Sequence, residues 1–451
     1  MRPRRLSEIA ESIGGRLVGD DVVVSKVIVD SRGSKEGSLF FALPGARTDG
    51  HDHVDDAIAS GAAVVVRNAE GVGPMIVVED PERALSDLAR EERRASKAAV
   101  VGITGSTGKT TTKDLLAAVL ESRFSVVSSP ASYNTDIGVP LTILAASEET
   151  EIIVCEMGSR GIGHIARLCG VSEPDVGIVT NVGVAHMESF GSRENIALAK
   201  RELVEALSEK GSAVLAADDA VVRGFAEVTS ARVLTFGAAS RAHVTAEDMS
   251  LSADGSATFL LKYEGDAEPV QLAVPGEHMV SNALAAAAGG IALGVTVAEA
   301  AASLKDTRIS AWRMEVFTTR EGVVVVNDAY NANPQSMAAA LKTARWMSRG
   351  GRLAAVLGHM AELGPISREE HERLGELVAR LGVERLVTVG GEAIFIARAA
   401  VREGVEPQNV ASYESASEAA EDVREWARAG DVVLFKASRV AGLERGAEAM
   451  R

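Results

Sequence analysis

A glycine-rich turn between an apolar strand and a helix has the clearest chemical meaning in this sequence. Residues Val100 to Thr111 read VVGITGSTGKTT, and the apolar residues of the helix that follows fall on one face. In such a turn, backbone N–H groups bind phosphate oxygens, a lysine reaches the terminal phosphates, and a hydroxyl ligates Mg²⁺. The predicted phosphate-binding residues are Gly105, Ser106, Thr107, Gly108, Lys109, Thr110 and Thr111.

The turn departs from the strict phosphate-loop pattern, because Ile103 stands where that pattern has its first glycine. A glycine-rich turn that holds some other anion therefore stays open as a second interpretation. The sequence contains no Asn-Lys-x-Asp string that would read guanine, which favours adenine as the base.

Two later strands end in side chains that could assist phosphoryl transfer. Glu156 ends the apolar strand Ile152 to Cys155, at the sheet edge where open α/β folds bind ligands, and is a candidate Mg²⁺ ligand. His186 follows the next such strand, where an imidazole can serve a site or only a loop. Lys200 lies on a helix predicted to begin near Ser192, and its spacing alone indicates only a solvated lysine on a helix face.

The pattern of strands and helices divides the 451 residues into three predicted α/β domains. Short strands and turns, followed by a charged helix over Pro81 to Ser96, predict a small domain in residues 1–96. Alternating strands and helices predict a parallel, doubly wound, phosphate-loop sheet in 97–308, with an antiparallel flap at about 243–274. The alternation restarts in 309–451 and predicts a Rossmann-like domain.

Composition excludes several classes of protein. There are 47 Lys and Arg against 63 Asp and Glu, a net charge of −16, and no basic block, so a nucleic-acid partner is not expected. Cys155 and Cys169 are too few for a disulfide framework and fit a reducing compartment. The basic start lacks the apolar segment of a signal peptide, so secretion is not expected.

One uncharged stretch, Met279 to Ala298, is long enough to resemble a membrane span. It is rich in Ala and Gly, and glycines at 289, 290 and 294 are expected to break it. The stretch therefore predicts two packed core helices, and no membrane partner is expected.

Several further motifs, in one order, resemble the ATP-dependent Mur ligase family over essentially the whole chain. They are SYNTDIGVPLT at 132–142, EMG at 156–158, TNVGVAHME at 180–188, NDAYNANP at 327–334 and GHMAELG at 358–364. The family transfers the γ-phosphoryl group of ATP to a substrate carboxylate, and an amine then displaces phosphate from the acyl phosphate. The resemblance is closest to the branch that adds D-alanyl-D-alanine to UDP-N-acetylmuramoyl-tripeptide.

The resemblance implies an ADP-forming peptide ligase of peptidoglycan precursor synthesis, with ATP and Mg²⁺ as cofactors. It further implies a cytoplasmic monomer that serves cell wall biogenesis, cell shape, the cell cycle and cell division. The N-terminal domain would bind the UDP-sugar and the central domain ATP. The third residue of the stem peptide, meso-diaminopimelate or lysine, stays open.

Roles for residues that spacing leaves open also come from the resemblance. The implied catalytic residues are Lys109, Glu156, His186 and Lys200. Thr110 and Glu156 would hold one Mg²⁺, and His186 with a carbamylated Lys200 would hold a second. The implied ATP contacts beyond the turn are Asn282, Arg313, Asp328 and Tyr330. The implied substrate contacts are Ser31, Arg32, Thr48, Asp49, Asn134, Asn331 and Asn333.

Taken without the family, the asparagines are ordinary turn or cap residues, and the segment Asp30-Ser31-Arg32-Gly33 after a strand is more often a plain turn. Three positions depart from the family pattern and bear on the third domain. Trp312 stands where Gly is frequent, His359 where Asp is usual, and Ala437 where Gly is usual in Lys-Gly-Ser-Arg. His371 can be an acceptor-side residue or part of a solvated helix face, and is not among the predicted site residues.

Two other functions compete with this interpretation. A sister ligase that adds the third stem residue, or a folylpolyglutamate synthase, would use the same chemistry on another substrate. The third-domain motifs oppose both, and the Asp-Asn-Pro-Arg string typical of that sister does not occur. The second alternative is a nucleotide-binding scaffold without turnover, which the presence of the implied catalytic side chains opposes.

Overall fold

The computed structural model describes residues 1–45, 48–68, 73–238, 241–349 and 351–451. The strands in chain order are β1 (Arg4–Arg5), β2 (Arg16–Val18), β3 (Val23–Val24), β4 (Lys26–Ile28), β5 (Ser38–Phe41), β6 (Ala63–Val66), β7 (Met75–Val77), β8 (Ala99–Thr104), β9 (Val126–Ser128), β10 (Ile152–Glu156), β11 (Val176–Val179), β12 (Ser212–Ala216), β13 (Arg232–Phe236), β14 (Thr245–Leu251), β15 (Ser256–Tyr263), β16 (Asp266–Pro275), β17 (Glu315–Thr318), β18 (Val324–Asn327), β19 (Leu353–Gly358), β20 (Arg385–Val389), β21 (Val410–Tyr413) and β22 (Val432–Lys436). The α-helices are α1 (Leu6–Ser12), α2 (Val54–Ala59), α3 (Pro81–Ala95), α4 (Lys109–Glu121), α5 (Gly138–Leu144), α6 (His164–Ser172), α7 (Met187–Phe190), α8 (Arg193–Glu205), α9 (Ala220–Gly224), α10 (His278–Ala292), α11 (Val297–Leu304), α12 (Pro334–Ser348), α13 (Ser367–Arg380), α14 (Ile394–Arg402), α15 (Ala416–Trp426) and α16 (Leu443–Ala449). Parallel sheets flanked by helices confirm the predicted α/β fold class.

The N-terminal sheet has the strand order β2-β7-β6-β5-β4, with β2 antiparallel to β7 and the other pairs parallel. All residues of β5 and β6 are buried, as expected for apolar strands covered on both faces. The turns after β4 and β5 carry the four N-terminal residues that the family resemblance implies as substrate contacts.

Helix α3 connects this sheet to the central one. Asp80 caps it by accepting from the Glu82 and Arg83 N–H groups, and Pro81 occupies its first turn. The helix packs against α5 and α6, and Arg93 donates to the Ser172 carbonyl at 2.8 Å. The domain boundary predicted near residue 96 falls between α3 and β8.

The central sheet is parallel, with the strand order β13-β12-β11-β8-β10-β9. Strand β8 lies between β10 and β11, and the register pairs Ile103 with Glu156 and Thr104 with Val179. The carboxyl ends of these three strands therefore lie side by side, at the edge where the phosphate-binding turn leads into α4.

Helix α10 corrects one prediction. Gly289 and Gly290 do not break it, because α10 continues to Ala292, and the chain turns only at Gly294, where φ is +89°. A Cβ at Gly289 would lie 2.7 Å from Ile178 Cδ1, and one at Gly290 would lie 2.5 Å from Val119 Cγ1. These glycines serve close packing on the central sheet and α4. Within the described residues, no helix is both long and apolar enough to cross a bilayer.

The predicted antiparallel flap is confirmed as the three-stranded sheet β14-β15-β16, which spans Thr245–Leu251 to Asp266–Pro275. The C-terminal sheet has the order β17-β18-β22-β19-β20-β21, parallel except for the antiparallel pair of β17 and β18. Its strands β18 and β22 end side by side, so the segment after Asn327 meets the end of β22 at Lys436.

Sequence patterns missed the edge strands β9, β13, β17 and β21 of the two large sheets, and also β1, β2 and β3 in the N-terminal part of the chain. Strands β9, β17 and β21 contain no buried residue. They therefore lack the continuous apolar pattern that marks central strands. The central strands of both large sheets were predicted to within one or two residues at their ends, because they are short, continuous apolar runs.

Candidate active site between the central and C-terminal sheets

A cleft of about 850 Å³ opens where the carboxyl ends of β8 and β10 face the segment after β18. It brings together most of the site residues predicted from the sequence. These are Ser106, Thr107, Gly108, Lys109, Thr110, Thr111, Asn134, Glu156, His186, Asn282, Arg313, Asp328, Tyr330, Asn331 and Asn333. The cleft therefore joins the phosphate-binding turn with residues from the third predicted domain.

The phosphate-binding turn is held in shape by two close contacts that require glycine. Gly108 has φ of +79° at the start of α4, and a Cβ there would lie 2.2 Å from Asn282 Oδ1. A Cβ at Gly105 would lie 1.9 Å from Thr180 Oγ1. The backbone can thus approach an anion closely, with Asn282 directly against the turn.

Asn181 fixes the tip of the turn, although it was not among the predicted site residues. The Thr107 N–H donates to Asn181 Oδ1 at 3.0 Å, and Asn181 Nδ2 donates to Thr107 Oγ1 at 2.7 Å. The Thr180 hydroxyl adds a bond to the Thr107 carbonyl at 2.7 Å. The segment directly after β11 therefore supports the turn that begins after β8.

Lys109 lies across the turn, and its Nζ donates to the Gly105 carbonyl at 2.7 Å. Burial lowers the pKa of Lys109 from its ordinary value, the Glu156 carboxylate opposes this, and the Arg313 guanidinium adds to it. A bound phosphate, like the Glu156 carboxylate, would favour the charged ammonium, because a nearby negative charge attracts it.

Thr110 is the point where the two sides of the cleft meet. Its hydroxyl donates to Glu156 Oε2 at 2.7 Å and accepts from Arg313 Nη2 at 2.8 Å, with Ser132 Oγ 3.3 Å away. Asn134 Nδ2 donates to the other Glu156 oxygen at 2.8 Å. Glu156 is buried, and both of its carboxylate oxygens are hydrogen-bonded.

These oxygens fit one Mg²⁺ bound together with a nucleotide. In the described ranges, no group of three or more His, Cys, Asp and Glu side chains could hold a metal by itself. Thr110 Oγ1 and Glu156 Oε2 supply two neighbouring oxygen donors, and Mg²⁺ commonly takes one or two protein oxygens and completes its shell with phosphates and water.

His186 lies at the mouth of the cleft with a left-handed φ of +59°, and its Nδ1 pairs with Glu362 Oε2 from the third predicted domain. Burial lowers the pKa of His186, the Lys109 charge adds to this, and Glu362 opposes it. Glu362 also has a positive φ, +62°, and its carbonyl accepts from the Glu188 N–H at 3.1 Å.

Lys200 lies behind the cleft instead of lining it. Its side chain is buried, and its Nζ donates to the hydroxyl of Ser159, a residue that does line the cleft, at 2.9 Å. Burial places the pKa of Lys200 well below its ordinary value, and the Lys109 charge adds to this while Glu202 opposes it. The interpretation of Lys200 as a solvated helix lysine is therefore wrong.

Asp328 in the third predicted domain is engaged by protein groups on both oxygens. Buried Lys436 donates from Nζ to Asp328 Oδ2 at 2.6 Å and to the Asn331 carbonyl at 2.9 Å, while the Met314 N–H donates to Oδ1 at 3.1 Å. The ring of Tyr330 lies 4.1 Å from the Arg313 guanidinium carbon. A ribose contact by Asp328 would share an oxygen with Lys436 or Met314.

Asn331 and Asn333 line the cleft and also make ordinary turn contacts. Asn331 Oδ1 accepts from the Ala332 N–H at 2.9 Å. Asn333 caps α12, because its Oδ1 accepts from the Ser336 N–H at 2.9 Å. Their amide nitrogens are the groups that each residue could offer to a ligand.

The N-terminal residues implied as substrate contacts do not line this cleft. Arg32 is 89% exposed and pairs with Asp30 at 2.6 Å, which lowers the pKa of Asp30 to about 2. Asp49 accepts from the His51 N–H at 3.0 Å and from Arg67 at 3.0 Å. Ser31 lies in the same turn as Arg32.

A separate cavity of about 560 Å³ lies next to the turn at 30–33, between the N-terminal sheet and α5. Val29, Asp30 and Gly33 line one side of it, and Tyr133 and Leu141 line the other. Tyr133 thus borders this cavity while its neighbour Asn134 borders the main cleft.

The backbone conformation at Trp312 suits the glycine that the family frequently has at this position. Its φ is +60°, a left-handed conformation that glycine adopts freely and a bulky side chain rarely does. Arg439 stacks on the Trp312 ring at 4.3 Å, and the indole N–H donates to Glu448 at 3.3 Å. These contacts offset part of the backbone strain that this chain accepts there.

His359 and Ala437, the other two positions that depart from the family pattern, lie on neighbouring segments whose backbone contact is intact. Ala437 is buried, and a Cβ at Gly358 would lie only 2.5 Å from its Cβ, so the pair tolerates one methyl group. The His359 carbonyl accepts from the Ser438 N–H at 3.2 Å, a bond that does not depend on the side chain at 359.

His371 is neither a solvated residue nor a lining residue of the cleft. It is fully buried, its Nε2 accepts from the Met360 N–H at 2.9 Å, and its Nδ1 donates to the Ser367 carbonyl at 2.7 Å. The contact with the Met360 N–H requires the neutral ring, because a protonated Nε2 cannot accept a hydrogen bond, and burial lowers the pKa of His371 while the bond to the Ser367 carbonyl opposes this. The residue therefore fixes the segment that carries Glu362.

This burial predicts a pH dependence of stability. The unfolded chain takes up a proton on His371 near its ordinary pKa of about 6.5, while the folded ring stays neutral, so stability falls as the pH drops below that value. We expect His371→Gln, whose amide can replace both hydrogen bonds, to lose less melting temperature between about pH 7.5 and 5.5 than the unaltered protein. Exposed His243→Gln is the control. Equal losses in all three proteins would contradict the assignment.

Four contacts of the cleft were missed by sequence reasoning: Asn181, Ser132, Glu362 and Lys436. The first three lie inside motifs that carry the family resemblance, but no local spacing singles them out. Lys436 and Asp328 are far apart in sequence and meet only because β18 and β22 are neighbours.

Comparison with known protein families finds three Mur ligase domain models that match in order along the chain. The Mur ligase family, catalytic domain, matches residues 23–93, and the Mur ligase middle domain matches 103–290. The family described as Mur ligase, glutamate ligase domain, matches 312–439.

Relatives with assigned activities match over nearly the full length. The UDP-N-acetylmuramoyl-tripeptide--D-alanyl-D-alanine ligase of Mycobacterium leprae (strain TN) is 40% identical, over 97% of this chain and 96% of its own. A crystal structure of MurF from Acinetobacter baumannii superposes with a TM-score of 0.89 at 28% identity, covering 100% of this chain and 99% of that one. MurF ligase from Thermotoga maritima in complex with ADP gives a TM-score of 0.82 at 32% identity, covering 95% and 97%.

Proposed function

The chain belongs to the Mur ligase family, and from that premise we infer that it is an ATP-dependent ligase that joins D-alanyl-D-alanine to UDP-N-acetylmuramoyl-tripeptide. The observation that carries this inference is the meeting of both sides of the cleft at Thr110, where the phosphate-binding helix contacts Glu156 and Arg313. Full-length similarity to ligases of this activity selects the substrates.

The reaction needs an activated carboxylate, because a free carboxylate is a poor acyl donor. An oxygen of the tripeptide carboxylate attacks the γ-phosphorus of ATP, a P–O bond forms, and ADP leaves. The amine of D-alanyl-D-alanine then attacks the acyl carbon, a C–N bond forms, and phosphate leaves as the amine loses a proton. Both steps develop negative charge on phosphate oxygens, which positioned cations and N–H groups stabilise.

The residues of the cleft suit these two steps. The turn from Gly105 to Thr111 would bind the phosphates through its N–H groups, with Lys109 at the terminal phosphate and Arg313 approaching from the third domain. Thr110 and Glu156 would hold Mg²⁺, which neutralises phosphate charge when bound. Asn134 holds Glu156 in place, and Asn282, which lies against the turn, would contact the adenine.

We propose that Lys200 is carbamylated and, with His186, completes a second Mg²⁺ site. An ammonium would repel a cation, whereas the lowered pKa of Lys200 leaves its amine free to attack CO₂, forming an N–C bond and releasing one proton. The carbamate oxygens would be carboxylate-like ligands.

The carbamate can be observed without measuring turnover. We expect protein equilibrated with carbon-13 bicarbonate to show one protected carbamate resonance, and Lys200→Met to lack it. Exposed Lys97→Met is the matched control and keeps the resonance. A resonance that survives in Lys200→Met, or is missing from the unaltered protein, would rule the proposal out.

We further propose a division of labour among three domains. Residues 1–96 would bind the UDP-sugar through Ser31, Arg32, Thr48 and Asp49, residues 97–308 would bind ATP, and residues 309–451 would bring Arg313, Asp328 and Tyr330 to the nucleotide. Asn331 and Asn333 would line the site of the incoming amine. The protein would act as a cytoplasmic monomer in cell wall biogenesis, and so serve cell shape, the cell cycle and cell division.

The substrate assignment is tested by offering two pairs of substrates with ATP and Mg²⁺. Phosphate release and a UDP-pentapeptide mass are expected with UDP-N-acetylmuramoyl-tripeptide and D-alanyl-D-alanine. Turnover only with UDP-N-acetylmuramoyl-dipeptide and a diamino acid would identify the sister ligase instead. Nucleotide binding without turnover of either pair would indicate a scaffold.

A further inference from the structure

Lys113 and Asp114 lie on α4 one turn beyond Lys109, with their charged groups 2.9 Å apart. Lys113 is buried, and its Nζ also donates to the carbonyls of Ser129 at 2.7 Å and Ala131 at 3.0 Å. An ammonium has three N–H donors, so all of its donors have acceptors. Two of these three contacts hold the segment that follows β9.

That segment, Ser129 to Asn134, supplies two side chains to the cleft. Ser132 Oγ lies 3.3 Å from the Thr110 hydroxyl, and Asn134 holds Glu156. Ala131, whose carbonyl Lys113 binds, has a left-handed φ of +46°. A non-glycine residue rarely keeps this conformation unless surrounding contacts impose it.

Asp114 makes the equivalent contact on the opposite side. Its Oδ2 accepts from the Ser310 N–H at 2.8 Å, in the connection that leads from α11 to Arg313. Arg313 is flanked by Trp312 and Met314, which have left-handed φ values of +60° and +51°. The connection is thus strained on both sides of the residue that reaches Thr110.

We propose that Lys113 and Asp114 form a positioning pair that sets the two strained segments against Thr110. One carboxylate and one ammonium, bonded to each other on the phosphate-binding helix, fix the Ser132 segment and the Arg313 connection in one geometry. Arg313 Nη2 donates to both Thr110 and Ser132. A displacement of either segment therefore changes the relative positions of the Arg313, Thr110 and Ser132 side chains. As a role in ligation, the proposal rests on the function proposed above.

The pair is expected to affect turnover more than nucleotide affinity. Asn181 and Thr180 hold the phosphate-binding turn independently of it. We expect Lys113→Met to lower kcat at least about tenfold while changing KM for ATP less than about threefold, because small misplacements of reacting groups cost rate. Asp114→Asn should act similarly, because one amide oxygen cannot serve both Lys113 and Ser310.

Val119→Ala on the same helix is the matched control. Val119 is buried against α10 at Gly290 and does not line the cleft, so we expect its truncation to lower stability and leave the cleft unaltered. Melting temperatures of all variants are measured first, and activities are compared where each is folded. A kcat loss in Lys113→Met and Asp114→Asn no larger than that in Val119→Ala would overturn the proposal.

Tryptophan fluorescence gives a readout that needs no substrate. With Trp346→Phe and Trp426→Phe, Trp312 becomes the sole tryptophan and reports on the Arg313 connection. We expect acrylamide quenching of Trp312 to rise about twofold in Lys113→Met or Asp114→Asn, since a released segment exposes its side chains, and to stay unchanged in Val119→Ala. Unchanged quenching in both variants would overturn the proposal. If the unaltered protein shows no ligase turnover, the proposed function fails, while quenching still decides the positioning.

Discussion

Replacing Lys109 by methionine should lower kcat by about 10³-fold, because it removes the one cation that the phosphate-binding turn itself aims at the terminal phosphate. Methionine keeps most of the side-chain length, so the turn keeps its packing. The buried Glu156 carboxylate keeps its hydrogen bonds from Thr110 and Asn134 when Lys109 is replaced, so we expect little change in melting temperature. Phosphate release and thermal unfolding measure the two quantities.

Exposed Lys97→Met, at the other end of β8, is the matched control and should keep full turnover. Turnover of Lys109→Met within about tenfold of the unaltered protein would contradict the phosphate-binding role, since a lost charge contact in the transition state costs more than that.

Replacing Glu156 by glutamine should lower kcat by about 10²-fold or more and raise the Mg²⁺ concentration needed for half-maximal rate. The amide oxygen can still accept from Asn134 Nδ2, and the amide nitrogen can face the Thr110 hydroxyl, so the geometry survives while the negative charge is lost. The variant separates metal binding from folding. Rates measured over a range of Mg²⁺ concentrations test it.

Glu151→Gln is the control for this change, because Glu151 is exposed just before the same strand and accepts from the Ser125 N–H at 2.9 Å, a bond that the glutamine amide oxygen can also accept. It should leave the Mg²⁺ dependence unchanged. An unaltered Mg²⁺ dependence in Glu156→Gln would remove Glu156 from the proposed metal site.

The central chemistry could be predicted because its signals are local. Lys109 and Thr110 follow an apolar strand and a glycine turn, and Glu156 ends the neighbouring strand, so sheet geometry alone brings them together. The structure places all three in one cleft, as the sequence predicted. Lys109→Met and Glu156→Gln test the catalytic roles of two of these residues.

The remaining contacts depend on neighbours that sequence spacing does not reveal. Lys436 reaches Asp328 through adjacent strands, and Asp114 reaches Ser310 through the path of the chain after α11. The break predicted at Gly289-Gly290 was wrong because these glycines relieve crowding at a helix interface, and packing stabilises the helix more than glycine weakens it.

The formation of an acyl phosphate is tested most directly by following a carboxylate oxygen atom into the released phosphate. UDP-N-acetylmuramoyl-tripeptide is labelled with oxygen-18 in the terminal carboxylate and turned over with D-alanyl-D-alanine, ATP and Mg²⁺, and the released phosphate is analysed by mass. We expect one labelled oxygen in each phosphate, because a carboxylate oxygen attacks the γ-phosphorus and leaves with it. Unlabelled phosphate would show that water attacks ATP, and would contradict an acyl phosphate formed in this cleft.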